Sequence, residues 1–334
     1  MAYRLAIDAA ALARQARLNR WQSALLLLGL TALAALSGLI VAGPMGLLVA
    51  ASAALALLLF DPAPGSAVFR QLLGGVPLPP EAAPQLHATV RALARRAGLQ
   101  RAPALFLLPS PVLQAMAAGD RARPSIAFTL ALLRALPPRE VTAVLAHEIA
   151  HLRHGDVRVM RLAAAAASLT RLMANFGALM LLLWFPILMA AGEAPSPIAF
   201  LLLMAAPLLG DLLILSLSRR RELLADAGAV ELTGDPAGLA SALMRLERMQ
   251  GDDWERLASR SGARWLRWFR THPTLRERIA RLSETVAVVP SVPRWPEEAG
   301  RGWLPAGPPG RVRGGGGRAL YGTPGQRLAG RWLL

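Results

Sequence analysis

Four apolar stretches, residues 23–41, 45–60, 172–191 and 198–217, leave this chain few folds to choose from. Inside a bilayer no water reaches the backbone N–H and C=O groups, so a spanning segment must satisfy its own hydrogen bonds, as a helix does. About 17 to 25 predominantly apolar residues suffice for a crossing. The first two stretches are separated by Gly43 and Pro44 and read as a transmembrane hairpin. The second is short, and neighbouring spans or local thinning of the bilayer would accommodate it. A signal peptide is the competing reading, since Arg14, Arg17 and Arg20 precede the first stretch. Against it, the apolar run is too long and another follows at once. The third and fourth stretches, joined by residues 192–197, form a second hairpin. Asn175, Pro186 and Asp211 interrupt it, which keeps a buried core hairpin as the alternative.

Composition agrees with a membrane protein: 54% of the residues are hydrophobic and only 5% aromatic. All 37 basic residues are Arg, a bias from which no function is drawn, and the net charge is +16. The arginines are spread along the chain and flank apolar segments, so they suit membrane orientation better than a nucleic-acid surface, and no specific nucleic acid is expected. The N-terminus, residues 61–171 and the SRRR run at Ser218–Arg221 all carry Arg, whereas the 192–197 loop holds Glu193 and none. By the positive-inside rule the first three lie together on the cytoplasmic side, giving about four spans. With no Cys, disulfides, thiolate ligands and cysteine nucleophiles are all excluded, and any metal must be held by His and carboxylates.

Between the hairpins the sequence has soluble character. A helix is expected over 82–97, short strands over 104–108, 112–117 and 125–129, and a further helix over 139–154 that opens at Pro137 and Pro138 and stops at Gly155. The expected fold is α+β: a mainly helical integral membrane protein with a soluble domain built around a small sheet. Its parts are an N-terminal segment and hairpin (1–60), a first soluble part (61–171), a second hairpin (172–217), a second soluble part (218–289) and an Arg-, Gly- and Pro-rich tail (290–334) expected to be disordered. An RNA- or lipid-binding tail is the alternative suggested by its charge and tryptophans.

The 139–154 helix carries HEIAH, with His147, Glu148 and His151. Residues four apart share a helix face about 6 Å apart along the axis, so both imidazoles can reach one metal ion. Neutral imidazoles suit zinc, and a carboxylate beside an open coordination position can act as general base on water. A structural His pair is the bland reading, because HExxH does arise by chance. Tetrahedral zinc needs a third protein ligand, here a Glu or Asp. Glu222, just beyond the fourth apolar stretch, is the candidate, and Asp226 follows four residues later on the same face, placed to hold a ligand His through its other ring nitrogen. For both, a solvated helical charge is an equally ordinary reading.

HEIAH, an apolar hairpin, SRRRELLADAGAVELTG and then THPTLRERIARL make the chain resemble the HtpX-like membrane zinc metalloproteases of the gluzincin group, from the first hairpin through Leu282. The resemblance implies one Zn2+ per subunit bound by His147, His151 and Glu222, with Glu148 as general base. It also implies that His272, of the HP motif, stabilises the oxyanion, although a His before Pro273 at a helix start is equally ordinary as structure. An inner-membrane endopeptidase with a cytoplasmic active site is implied, acting in stress-linked quality control of misassembled membrane proteins. A prenyl-protein protease of the same superfamily is the nearest enzyme alternative, and a non-catalytic zinc-binding membrane scaffold the rival of another kind. One departure stands out: the family often has an Asn-Ala-Phe-Ala-like run on the strand beside the active helix, where this chain has Gln114, Ala115, Met116 and Ala117.

Among the remaining residues, His154 is read as a surface residue and His87 as lacking a metal partner in sequence. Asp211 is expected to face a polar cavity or an Arg, on nearly the same helical face as Glu222. The run ARWLRWFR at 263–270 reads either as a membrane-interface segment or as a core-packed helix with exposed Arg.

Overall fold

A computed structural model describes residues 9–59, 65–192 and 196–260, together with Arg278 and Ala280. His272, the 263–270 run and the tail lie outside the described residues.

The apolar stretches build three helices long and apolar enough to cross a membrane: α1 (Ala9–Leu59), α6 (Asp156–Ala190) and α7 (Pro197–Thr233). Helix α1 is broken in its middle, where Ala42 (φ −137°, ψ 25°) and Gly43 (φ 59°, ψ −147°) leave helical geometry just before Pro44. Gly38 and Gly46 sit so close that a Cβ on either would collide with the carbonyl oxygen of the other. In a straight helix residues eight apart are separated by about 12 Å, so the contact shows that the chain doubles back into two arms. Leu30 on the first arm is buried against Ala163, Ala166 and Ala167 of α6 and Leu217 of α7, the small alanines letting the helices approach closely. Away from these contacts apolar side chains face outward, with Leu182 72%, Ile198 70% and Leu201 67% exposed. Apolar surface of that extent belongs in lipid. Asp211 has an Arg partner: Arg171 Nη1 donates to its Oδ1 at 2.6 Å, pairing the two spans.

The remaining elements lie outside these long helices. After the single turn α2 (Gly65–Ala67) and a π-helical turn at Val68–Leu72 come β1 (Val76–Pro77), α3 (Pro84–Arg96), β2 (Ala104–Leu108), β3 (Ala115–Ala118), β4 (Ser125–Thr129), α4 (Leu130–Ala135) and α5 (Pro138–His154). Helix α8 (Pro236–Arg260) follows α7. The sheet is mixed, in the order β1-β2-β4-β3, with β2 and β4 parallel and the outer pairs antiparallel. Every residue of β4 is buried, which is why that strand reads as an unbroken apolar run. Strand β3 starts three residues later than expected. Thr129 ends the ladder: its backbone N–H donates to Gln114 O at 3.0 Å and its hydroxyl accepts from Leu132 N, capping α4.

Helix α5 lies in the core. Its Leu145, Ile149 and Leu152 pack with Leu86, Val90 and Leu93 of α3, with Ile126 and Phe128 of β4, and with Val230 of α7. Prolines open the helix, and Gly155, at φ 72°, ends it in the left-handed conformation that glycine adopts without a Cβ clash. Asp156 then begins α6 at once. Both α6 and α7 run unbroken past residues 171 and 217, where soluble and membrane parts were expected to divide. Where α7 crosses α5, a Cβ on Gly228 would lie 2.8 Å from the Ala150 Cβ and 3.2 Å from His154 Cε1. Only glycine fits there without moving one helix.

Candidate metal centre

The two helices crossing at Gly228 bring together residues far apart in sequence. On α5, His147 and His151 present their Nε2 atoms 3.1 Å apart. From α7, Glu222 places Oε2 3.4 Å from His147 Nε2 and Oε1 3.8 Å from His151 Nε2. All three ligand atoms lie within 4.8 Å of one another. With zinc–ligand bonds of about 2.0–2.2 Å, the edges of a tetrahedral site measure about 3.3–3.6 Å. The donor set therefore fits zinc in chemistry and in spacing, and Glu148, half-buried, is adjacent on the same helix.

Each histidine is backed by an aspartate on its other nitrogen. Asp226 Oδ1 lies 3.0 Å from His147 Nδ1, somewhat out of line for a full hydrogen bond. Burial alone would lower the His147 pKa, but contacts with Asp226 and Glu222 outweigh it and raise the pKa to about 10. Burial likewise works against the Asp226 carboxylate, yet Arg278 and His147 hold its pKa below the ordinary carboxylate range. Arg278 grips Asp226 bidentately, at 2.6 Å and 2.5 Å, and comes within 3.8 Å of Glu222. On the other side, His151 Nδ1 is 2.8 Å from Asp156 Oδ2, and Arg221 donates to Asp156 Oδ1.

Of the residues singled out from the sequence, His147, Glu148, His151, Glu222 and Asp226 meet here, while His272 lies outside the described residues. Asp156, Arg221 and Arg278 were missed. Asp156 stands just past Gly155 and belongs to no motif, Arg221 is one of the arginines of the SRRR run taken as membrane markers, and Arg278 lies within the THPTLRERIARL run.

His154 is not a surface residue. It is half-buried beside Gly228, with its Nδ1 fully enclosed. Burial lowers its pKa from 6.5 to about 4, Asp156 opposing and Arg153 reinforcing. A histidine whose folded pKa lies below its unfolded value contributes stability that is complete above about pH 6.5 and lost as pH falls toward 4. For the metal-free protein, up to about 3 kcal/mol of stability should disappear across that window. His154→Leu should flatten this part of a denaturation–pH profile, and an unchanged slope would show that other groups carry it. His87, by contrast, has its Nε2 2.9 Å from the carbonyl of Leu78 and plays a structural part.

A buried carboxylate–histidine cluster is costly to hold together without a cation at its centre, and this one sits beside a glutamate suited to move protons. Fold and site together define a metallopeptidase of the HExxH class, carried on membrane-length helices. Residues 80–286 match the model of Peptidase family M48. The "Protease HtpX homolog" of Methylibium petroleiphilum is 32% identical over 289 residues, covering 81% of this chain and 98% of that protein. Its counterpart from Paraburkholderia phytofirmans is 31% identical over 281 residues, covering 80% and 96%. The chain belongs to peptidase family M48. Among solved structures it is similar to S. mikatae Ste24p, with a TM-score of 0.41 and 21% identity over 69% of this chain, and it spans 55% of that chain's length.

Proposed function

We propose that this M48 metallopeptidase is an integral inner-membrane endopeptidase that cuts misassembled membrane proteins at an active site on the cytoplasmic face. The observation that carries the reading is the convergence of His147, His151 and Glu222 on one point beside Glu148, with Glu222 carried on α7, a helix long and apolar enough to cross a membrane. The two arms of α1, with α6 and α7, supply about four spans. The arginines at their ends favour the cytoplasmic side.

A zinc ion held by His147, His151 and Glu222 would polarise the scissile carbonyl and the attacking water. Glu148 takes the proton from that water and returns it to the leaving amine. Asp226 and Asp156 orient the two imidazoles through their Nδ1 atoms, leaving both Nε2 lone pairs directed at the metal position. His272 is assigned the oxyanion. Strand β3 is an edge of the sheet and packs beside α5, so an extended substrate can pair with its backbone whatever side chain stands at Gln114. The selection of membrane-protein substrates is supported by the resemblance to protease HtpX homologs and by the span-linked site.

Purified full-length protein in detergent should cleave an unfolded substrate such as casein, lose that activity to a zinc chelator and regain it with added zinc. Cleavage that persists in fully metal-depleted protein would sink the reading.

A further inference from the structure

We propose that Arg221 and Asp156 are positioning residues that join the first membrane hairpin to the ligand His151, so that the seating of that hairpin sets zinc affinity. The proposal rests on the metal-site reading above and adds a connection to α1, which supplies no ligand.

The connection is an unbroken polar chain. Ser23 on the first arm of α1 accepts a hydrogen bond from Arg221 Nη2 at 2.8 Å. Arg221 Nη1 donates to Asp156 Oδ1, and Asp156 Oδ2 lies 2.8 Å from His151 Nδ1. Ser23, Arg221 and Asp156 are all buried. Beside this line, Arg220 donates to Gln22, so two consecutive arginines of α7 grip two consecutive residues of α1. An apolar cluster of Leu30, Ala163, Ala166, Ala167 and Leu217, with Leu26 and Val159 packed against it, continues the same helix contact. No apolar group could replace one member of the chain without leaving a buried charge or donor unpaired.

The chain bears on the metal in two ways. Asp156 accepts the Nδ1 proton of His151, which fixes the tautomer with the Nε2 lone pair turned toward His147 and Glu222. Arg221 precedes Glu222 in sequence, so one turn of α7 both supplies a ligand and clamps the partner of another. A shift of α1 against α7 that pulls Ser23 from Arg221 loosens Asp156 and with it the His151 ring. A purely structural ion pair would add stability alone, and apolar packing would do that as well.

The test uses full-length protein in detergent, titrated with zinc against a competing chelator, with thermal unfolding of the metal-free form measured in parallel. Asp156→Asn and Arg221→Met should weaken zinc binding roughly 10- to 100-fold, the range usual for loss of an outer partner. Ser23→Ala is milder and keeps the protein folded. It should weaken zinc binding about 3- to 10-fold, in keeping with one hydrogen bond, and Ser23→Thr should restore it. Thr31→Ala, which removes a hydroxyl bonded to its own helix at Leu28, serves as the control on the same arm. Zinc affinity within twofold of wild type for both Ser23→Ala and Arg221→Met, with unfolding temperatures alone lowered, overturns the proposal and leaves the metallopeptidase reading intact. Wild-type protein that binds no zinc overturns both.

Discussion

Replacing Glu148 with Gln should reduce kcat for peptide cleavage by about 10²- to 10⁴-fold, the usual contribution of a positioned proton-transfer group, while bound zinc stays near one equivalent. The substitution keeps the shape of the side chain and removes its basicity. Glu148 is not among the three converging ligand atoms, so metal content has no reason to change. It also adds to the negative field felt by the half-buried Arg278, and a small drop in stability is expected with the neutral amide. The experiment separates a protease from a zinc-holding scaffold. Metal analysis and casein cleavage on the same preparation decide it, and activity retained by the Gln variant would show that another group moves the proton.

The second large effect is expected at Glu222. Glu222→Ala removes the one proposed ligand that comes from outside HEIAH, so zinc affinity should fall by more than the roughly 10- to 100-fold that loss of an outer partner costs. Activity should vanish at ordinary zinc concentrations. The variant also leaves Arg278, 3.8 Å away, with one carboxylate fewer, though Asp226 still holds it at 2.5 Å and 2.6 Å. A protein that folds and does not retain metal is therefore expected. Equilibrium dialysis against zinc, with circular dichroism to check folding, measures both. Undiminished binding would move the third ligand elsewhere.

Much of this was legible because the signals are local. Prolines 137 and 138 and Gly155 mark the ends of α5, and HEIAH places its two imidazoles by helical spacing alone. Strands β2 and β4 are short apolar runs, and their observed bounds coincide with those runs. Strand β1 left no trace, because two residues carry no pattern and Val76 and Pro77 are strand only through pairing with Leu107 and Phe106. Helix α4 was missed for a similar reason: six residues give little periodicity, and its cap, Thr129, doubles as the end of β4.

The supporting polar groups were illegible for a physical reason. Arg221 meets Asp156 across 65 positions and Ser23 across 198, and Arg278 meets Asp226 across 52. Nothing local distinguishes such an arginine from its neighbours in SRRR. The burial of His154 was hidden likewise, since it follows from a glycine on another helix.

The split of the ligands between α5 and α7 also fixes an order of events during synthesis. A chain emerging from the ribosome folds from its N-terminus onward, so the helix bearing both histidines is complete while Glu222 is still two membrane-length helices away. Until α7 has been made, the nascent protein carries two of the three proposed ligands. On the proposed ligand set, the site is complete only once α7 has been made and has packed against α5, well after the first hairpin is in place.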